Sequence, residues 1–284
     1  MKPLKDNRAA KTFRFPMNFT DAADSGDIHL PLQGATDLQN ALRPSQGDLR
    51  FDYAGVYRQA GEVSCNLLEM ESNSSGTVVF AIGDSGLLAD ALPVLCIRHY
   101  LRHSLSRGTT SPTAAALRMN GIIYDCCAPN TFLSCFYAQY TRSSRTLRYV
   151  NAGHDAPLLI RHQPDEVLVL EGSGPVLGLQ EAPAYAEGSV KLRSGDRLVA
   201  FTQGIIEALA AKTLRSAESV LIAMARHSEN LGPAQLANRI VAECESARQG
   251  TQLDKSVFVA CADDLPSASY GSQAMRASAM LAEA

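Results

Sequence analysis

Tryptophan is absent from the 284 residues, and all aromatics together make up only 6%. A chain so poor in flat rings offers no stacking platform for single-stranded nucleic acid. Basic residues supply no substitute: 26 Lys and Arg stand against 29 Asp and Glu, a net charge of -3 with a pI near 6.1. That balance carries no electrostatic footprint for nucleic acid or for an anionic membrane surface. Long apolar runs are missing as well. Lys2, Lys5, Arg8, Lys11 and Arg14 crowd the start of the chain, but no hydrophobic stretch follows them. Neither a signal-peptide core nor a membrane span of ~20 residues can be drawn, so the expected location is cytoplasmic. The seven cysteines, Cys65, Cys96, Cys126, Cys127, Cys135, Cys244 and Cys261, show no CxxC or ladder spacing. They read as reduced, mostly buried thiols.

What is present, 46% hydrophobic and 19% charged residues, is the composition of a soluble globular protein. Residues 1–35 mix charge, Ser, Gly and Pro without periodicity and read as a loosely ordered lead-in; 263–284 form a polar, small-residue tail. One domain is expected over 36–262. A short helix candidate at 37–42 ends at Pro44. Strand signals follow at 49–57, 63–70 and 77–82, the last two joined by the turn sequence Ser72 to Gly76 as an antiparallel hairpin. Leu87, Ala91, Val94, Ile97, Leu101 and Leu105 recur at helical spacing, with Pro93 tolerable only in a first turn. Ser111-Pro112 is a clean start for a second helix carrying Ala115, Met119, Ile122 and Cys126. Strands are predicted again at 131–140, 146–151, 157–161, 166–170, 185–192 and 197–201, then helices at 216–226 and after Gly232-Pro233, then a closing strand at 256–261. Strand blocks alternating with helix pairs argue against a doubly wound parallel sheet. The expected class is α+β, an αββα sandwich of two mainly antiparallel sheets flanked by helix pairs.

Several chemistries fall on inspection, because no GxxxxGK[ST], G-x-S-x-G or H-E-x-x-H occurs. His99 and His103 place two imidazoles at i and i+4 as zinc ligands require, but no third ligand of matching geometry accompanies them, and the pair reads as a solvated helix face. More informative are acids at strand ends, since a two-metal hydrolase needs carboxylates projecting into one cleft. Asp84 ends an apolar strand in Ala81-Ile82-Gly83-Asp84-Ser85-Gly86, and Asp254 opens the last one. Taken alone, each serves equally well as a turn or capping residue.

Three stretches occurring in order alter that weighting. Arg148-Tyr149-Val150-Asn151-Ala152-Gly153-His154, then Gly174-Pro175-Val176-Leu177-Gly178-Leu179, then Ser194-Gly195-Asp196-Arg197 through Thr202-Gln203-Gly204-Ile205-Ile206-Glu207-Ala208, together resemble the SpoIIE-like branch of the PPM protein phosphatases. The likeness runs from about 36 to 262, taking in Tyr57 to Val63 upstream and Asp254 downstream. It implies the αββα sandwich, Mn2+ or Mg2+ dependence, and action on phosphoserine or phosphothreonine in STAS-type anti-anti-sigma proteins. It also implies four metal aspartates, and here the sequence departs from the pattern. Asp84 and Asp254 match, whereas Asn66 and Gln203 stand where the other two belong, with Lys255 in place of the second acid of the final pair. Asn151 and His154 fall in the motif that could touch a substrate or partner, or could simply satisfy backbone groups where two strands part.

Two divalent ions about 3.5 to 4 Å apart carry four positive charges. Exchanging two carboxylates for neutral amides halves the charge available to oppose them, and hard cations depend on charge-rich oxygen shells. Even about 1.4 kcal/mol is tenfold in affinity. Glu62 lies ~13 Å along the strand from Asn66, and Glu69 falls on the opposite face, so neither compensates. With metal binding weak or absent and no catalytic residue assignable, the leading expectation is a pseudophosphatase that binds a protein, either a STAS-type partner or a kinase. The alternative is a slow Mn2+- or Mg2+-dependent phosphatase with Asn66 and Gln203 as neutral oxygen donors.

Overall fold

The computed structural model describes residues 53–60, 64–72, 77–85, 91–105, 110–163, 165–212, 216–246 and 253–262. The lead-in, the helix candidate at 37–42 and the tail lie outside them. Two five-stranded sheets are built from these residues. The first has the order β1 (Tyr53–Arg58), β10 (Lys255–Ala262), β9 (Asp196–Phe201), β6 (Leu158–Ile160), β7 (Val167–Val169). The second runs β2 (Asn66–Ser72), β3 (Thr77–Asp84), β4 (Ser134–Thr141), β5 (Thr146–Ala152), β8 (Gly188–Lys191). All neighbouring strands pair antiparallel.

Strand alternation sorts the apolar residues into three layers. On β3, Val78, Phe80 and Ile82 point between the sheets, where Phe80 stacks on Phe258 of β10 with ring centroids 4.0 Å apart. Val79 and Ala81 face the other way, onto α1 (Ala91–Leu105) and α2 (Pro112–Cys126). The outer face of the first sheet is covered by α3 (Gln203–Ala210), α4 (Ala217–Arg226) and α5 (Pro233–Glu245). The αββα sandwich is thus as expected in class, but one face carries three helices rather than a pair. The extra helix, α3, is only eight residues long. Its Gln203-Gly204-Ile205-Ile206 start follows directly on the buried run of β9, and Thr202 at its N-cap makes no side-chain capping hydrogen bond.

The helix-start signals behave as chemistry dictates. Ser111 caps α2 by accepting the Ala114 N–H at 3.2 Å, with proline in the first turn. Pro93 lies in the first turn of α1. Tyr185, expected within a strand, precedes β8; its ring packs among the α1 and α2 residues and its hydroxyl reaches Asn120 at 3.4 Å. Among the described residues no helix is long and apolar enough to cross a membrane.

Candidate functional site

The strand register collects the sequence-marked acids at one end of the sandwich. Asn66 lies opposite Asp84 across β2 and β3, and Asp84 lies opposite Ser134 across β3 and β4. Gly83 makes the last pairing possible, because a Cβ there would sit 2.0 Å from the Ser134 carbonyl oxygen. The Ser134 hydroxyl accepts the Asp84 N–H at 3.2 Å, lies 3.3 Å from the Asp84 carboxylate and 3.0 Å from His154 Nδ1. Burial pushes the Asp84 carboxyl up to about 6, reinforced by the like charge of Asp155 and opposed by the Ser134 hydrogen bond. Burial also drives the His154 imidazole down to about 4, so it is neutral at physiological pH. Its Nε2 is buried near the Phe201 backbone without an aligned hydrogen bond.

Asn66 does not face an open cleft. Its Nδ2 donates to Thr202 Oγ1 at 3.1 Å and to Ser256 Oγ at 2.9 Å, and the residue is 3% exposed. Thr202 Oγ1 also accepts the Ser256 N–H at 3.0 Å, while Thr202 N–H donates to the Ser256 carbonyl at 3.0 Å. The amide protons of Asn66 therefore tie β2 of one sheet to the ends of β9 and β10 in the other.

Asp254 is equally committed. Its Oδ1 accepts from Ala60 N–H at 2.7 Å, and its Oδ2 from Cys65 N–H at 3.1 Å and the Tyr57 hydroxyl at 3.3 Å. The Tyr57 phenol is raised well above its ordinary value, first by burial. Gln203, at the start of α3, is exposed, and its Nε2 donates to Glu207 Oε1 at 3.4 Å along the helix surface. Gly204 beside it admits the helix end to the strand, since a Cβ would lie 2.2 Å from the Asp254 carbonyl oxygen.

The four positions expected around a metal pair thus converge in the fold without forming a ligand set. Asn66 offers amide protons to two hydroxyls, Gln203 is exposed, Asp254 already accepts three hydrogen bonds, and Asp84 lies against the Ser134 hydroxyl. Among the described residues no three His, Cys, Asp or Glu side chains are grouped so that they could hold a metal ion. Among the described residues, the side chains at this end do not fit a binuclear centre.

Glu69 faces away from Asn66, as alternation requires, and is buried against α1, where it pairs with Arg98 at 2.5 Å and Arg102 at 3.0 Å. Asn151 is fully buried; its Oδ1 accepts the His154 N–H at 2.8 Å and its Nδ2 donates to the Leu170 carbonyl at 3.2 Å. Gly153 between them has φ +67, a conformation glycine adopts without strain. The Asn151 side chain thus serves the turn from the inside, while the His154 imidazole turns to the Ser134 hydroxyl. His99 and His103 stack with centroids 6.2 Å apart on exposed α1 positions. The sequence assigns no site role to the hydroxyls of Ser134, Thr202 and Ser256. Two of them carried a signal: Thr202 opens the Thr202-Gln203-Gly204 motif and Ser256 lies two residues beyond Asp254 on the last strand.

Comparison with known proteins agrees with this architecture. The family model for Stage II sporulation protein E (SpoIIE) matches residues 74–262. Phosphoserine phosphatase RsbU of Bacillus subtilis (strain 168) is 26% identical over 108 residues, 38% of this chain and 32% of RsbU. The chain thus matches about a third of that relative's length. The SiaA-PP2C domain of Pseudomonas aeruginosa superposes with a TM-score of 0.67 at 16% identity, covering 82% of this chain and 96% of the domain. The catalytic domain of the serine threonine protein phosphatase PstP, solved in complex with 2 manganese ions, gives a TM-score of 0.55 at 15% identity over 75% of this chain and 98% of that one. At these identities the structural likenesses establish the fold.

Proposed function

Because the chain belongs to the SpoIIE family of PPM-fold phosphatases, we propose that it is a pseudophosphatase: a cytoplasmic domain over 36–262 that keeps the phosphatase scaffold and acts by binding a protein. The observation that carries this reading is the Asn66 amide, which spends its N–H donors on Thr202 and Ser256. A neutral amide held in this way brings no negative charge to a cation that an aspartate would attract. Gln203 turned to Glu207 and Asp254 held by three donors point the same way.

The relatives support a class of partner. RsbU is a phosphoserine phosphatase, and a scaffold of that descent with its cleft closed would hold a phosphorylatable regulatory protein, such as a STAS-type anti-anti-sigma factor or its kinase, without turnover. The competing reading is a slow Mn2+- or Mg2+-dependent phosphatase using Asp84 and Asp254. Hydrolysis of a phosphoserine peptide and of an aryl phosphate, in excess Mn2+ and beside the Asp84→Asn variant, separates the two. The expected result is the same background rate for both proteins; turnover that Asp84→Asn abolishes would establish the enzyme instead. Activity gained by joint Asn66→Asp and Gln203→Asp exchange would show a scaffold that lost only its ligands.

A further inference from the structure

We propose that the cavity between the edge strands β7 and β8 is a binding site for an organic cation, the guanidinium or ammonium end of an alkyl chain such as an Arg or Lys side chain, seated between the Tyr149 ring and the Glu171 carboxylate. This goes beyond the pseudophosphatase reading and does not depend on it, since none of Asn66, Asp84, Gln203 and Asp254 lines the cavity. β7 closes one sheet and β8 the other, and among the described residues neither strand has a second pairing partner. Between them the fold leaves a cavity of about 320 Å3, walled by Val169 of β7, Tyr149 of β5, Gly188 of β8 and the segment 171–173. That volume lies at the small end of ligand sites and suits one long side chain rather than a nucleotide.

The walls select the charge of the ligand. Tyr149 is half-buried and stacks on Phe136 with ring centroids 5.3 Å apart, while its hydroxyl end lies against Gly188, where a Cβ would sit 2.3 Å from the ring. The ring is thus held from two sides, and glycine at 188 is what lets β8 approach it. Val169, 50% exposed, and Ala186 add apolar surface. Two carboxylates reach the cavity. Glu187 is met by Arg148 at 2.5 Å, but the Glu171 carboxylate makes no hydrogen bond or ion pair among the described residues. Ser173 is already committed, its hydroxyl accepting the Asn151 N–H at 2.9 Å and donating to the Asn151 carbonyl at 3.3 Å. One unmatched negative charge beside an aromatic ring and apolar walls is complementary to a cation carried on an alkyl stem. An anion would be repelled by Glu171, and an uncharged chain would gain nothing from it.

Titration of isotope-labelled full-length protein with acetyl-Gly-Arg-Gly-amide, followed by amide NMR shifts, tests the site. Saturable shifts are expected at Gly172, Ser173 and Gly188. Glu171→Gln should weaken binding about two- to fivefold, and added NaCl should weaken it in the parent but little in that variant. Gly172→Leu should abolish it. Gly172 lines the cavity outside the left-handed region, and a Cβ there meets nothing within 4 Å, so a longer side chain can take up the space while the melting temperature stays that of the parent. Propylguanidine, the same cation without a peptide, separates the sources: weaker binding than the peptide's assigns the site to a side chain of a partner protein, and equal or tighter binding assigns it to a free amine or guanidine. A norleucine peptide that binds as tightly as the arginine one, an acidic peptide that shifts the same amides, no saturable shift at these residues, or binding indifferent to both substitutions would each overturn the assignment.

Discussion

An amide and a carboxylate fill nearly the same volume, but at Asn66 the exchange reverses the direction of the hydrogen bonds. Thr202 and Ser256 accept from its Nδ2, and Thr202 is already engaged with the Ser256 backbone. Asn66→Asp therefore buries a charge at a 3% exposed position among groups arranged as acceptors. A loss of about 1–3 kcal/mol is expected, readable as a lower urea midpoint at neutral pH. His154 makes a second prediction at this scale. Its folded pKa of about 4 lies below the ordinary 6.5, so its contribution is complete above pH 6.5 and is lost as pH falls toward 4. Asp84, raised to about 6 through the same serine, pulls the other way over part of that range, so the measurement must be a difference. His154→Gln should be less stable than the parent at pH 7, and the gap should narrow by about 2–3 kcal/mol by pH 4.5. Parallel urea titrations at the two pH values check it, and a constant gap would mean the imidazole is not buried neutral.

Between elements, a carboxylate shared by two guanidinium groups attaches α1 to β2. Glu69 is almost wholly buried and meets Arg98 and Arg102, yet burial raises its carboxyl and lowers the Arg98 guanidinium despite their mutual attraction. Desolvation thus outweighs pairing, the regime in which breaking a pair is costly and replacing it whole is not. Glu69→Ala should cost about 3–5 kcal/mol, whereas Glu69→Leu with Arg98→Met should stay within about 1–2 kcal/mol of the parent; thermal melts of the two variants decide. The pair also marks a boundary of what the sequence discloses. The strands that alternate or run continuously apolar, such as β3, β4 and β9, and helices with caps, such as α2, were legible because period and capping are local. Glu69 was readable as facing away from Asn66, but its partners sit on a helix whose packing is a tertiary fact. The short α3 was missed for a related reason: a motif of Thr202-Gln203-Gly204 carries no period. Asn66, Asp84 and Asp254 could be named in advance from the family pattern. That their neighbours would be the hydroxyls of Ser134, Thr202 and Ser256 required the antiparallel register to bring them opposite.

For the molecule as a whole, the question is what holds the two sheets together at the site end. The catalytic domain of PstP, which shares the fold, was solved in complex with 2 manganese ions. In this chain Asn66 bridges to Thr202 and Ser256, and Asp254 gathers Tyr57, Ala60 and Cys65, so protein donors and acceptors span the gap. On the proposed reading such a fold gains nothing from a cation, and linkage turns that into a measurement. A metal at a hundred times its dissociation constant would add about 2.7 kcal/mol, and a domain of this size gains roughly 2–4 °C per kcal/mol. A working site would therefore raise the melting temperature by about 5–10 °C in millimolar Mn2+ over chelator. The expected shift is less than about 1 °C, equal in the parent and in Asp84→Asn. A rise of several degrees that Asp84→Asn removes would place a cation on that carboxylate and return the chain to the enzymes of its family. A rise that survives the substitution would place binding elsewhere and leave the cleft closed.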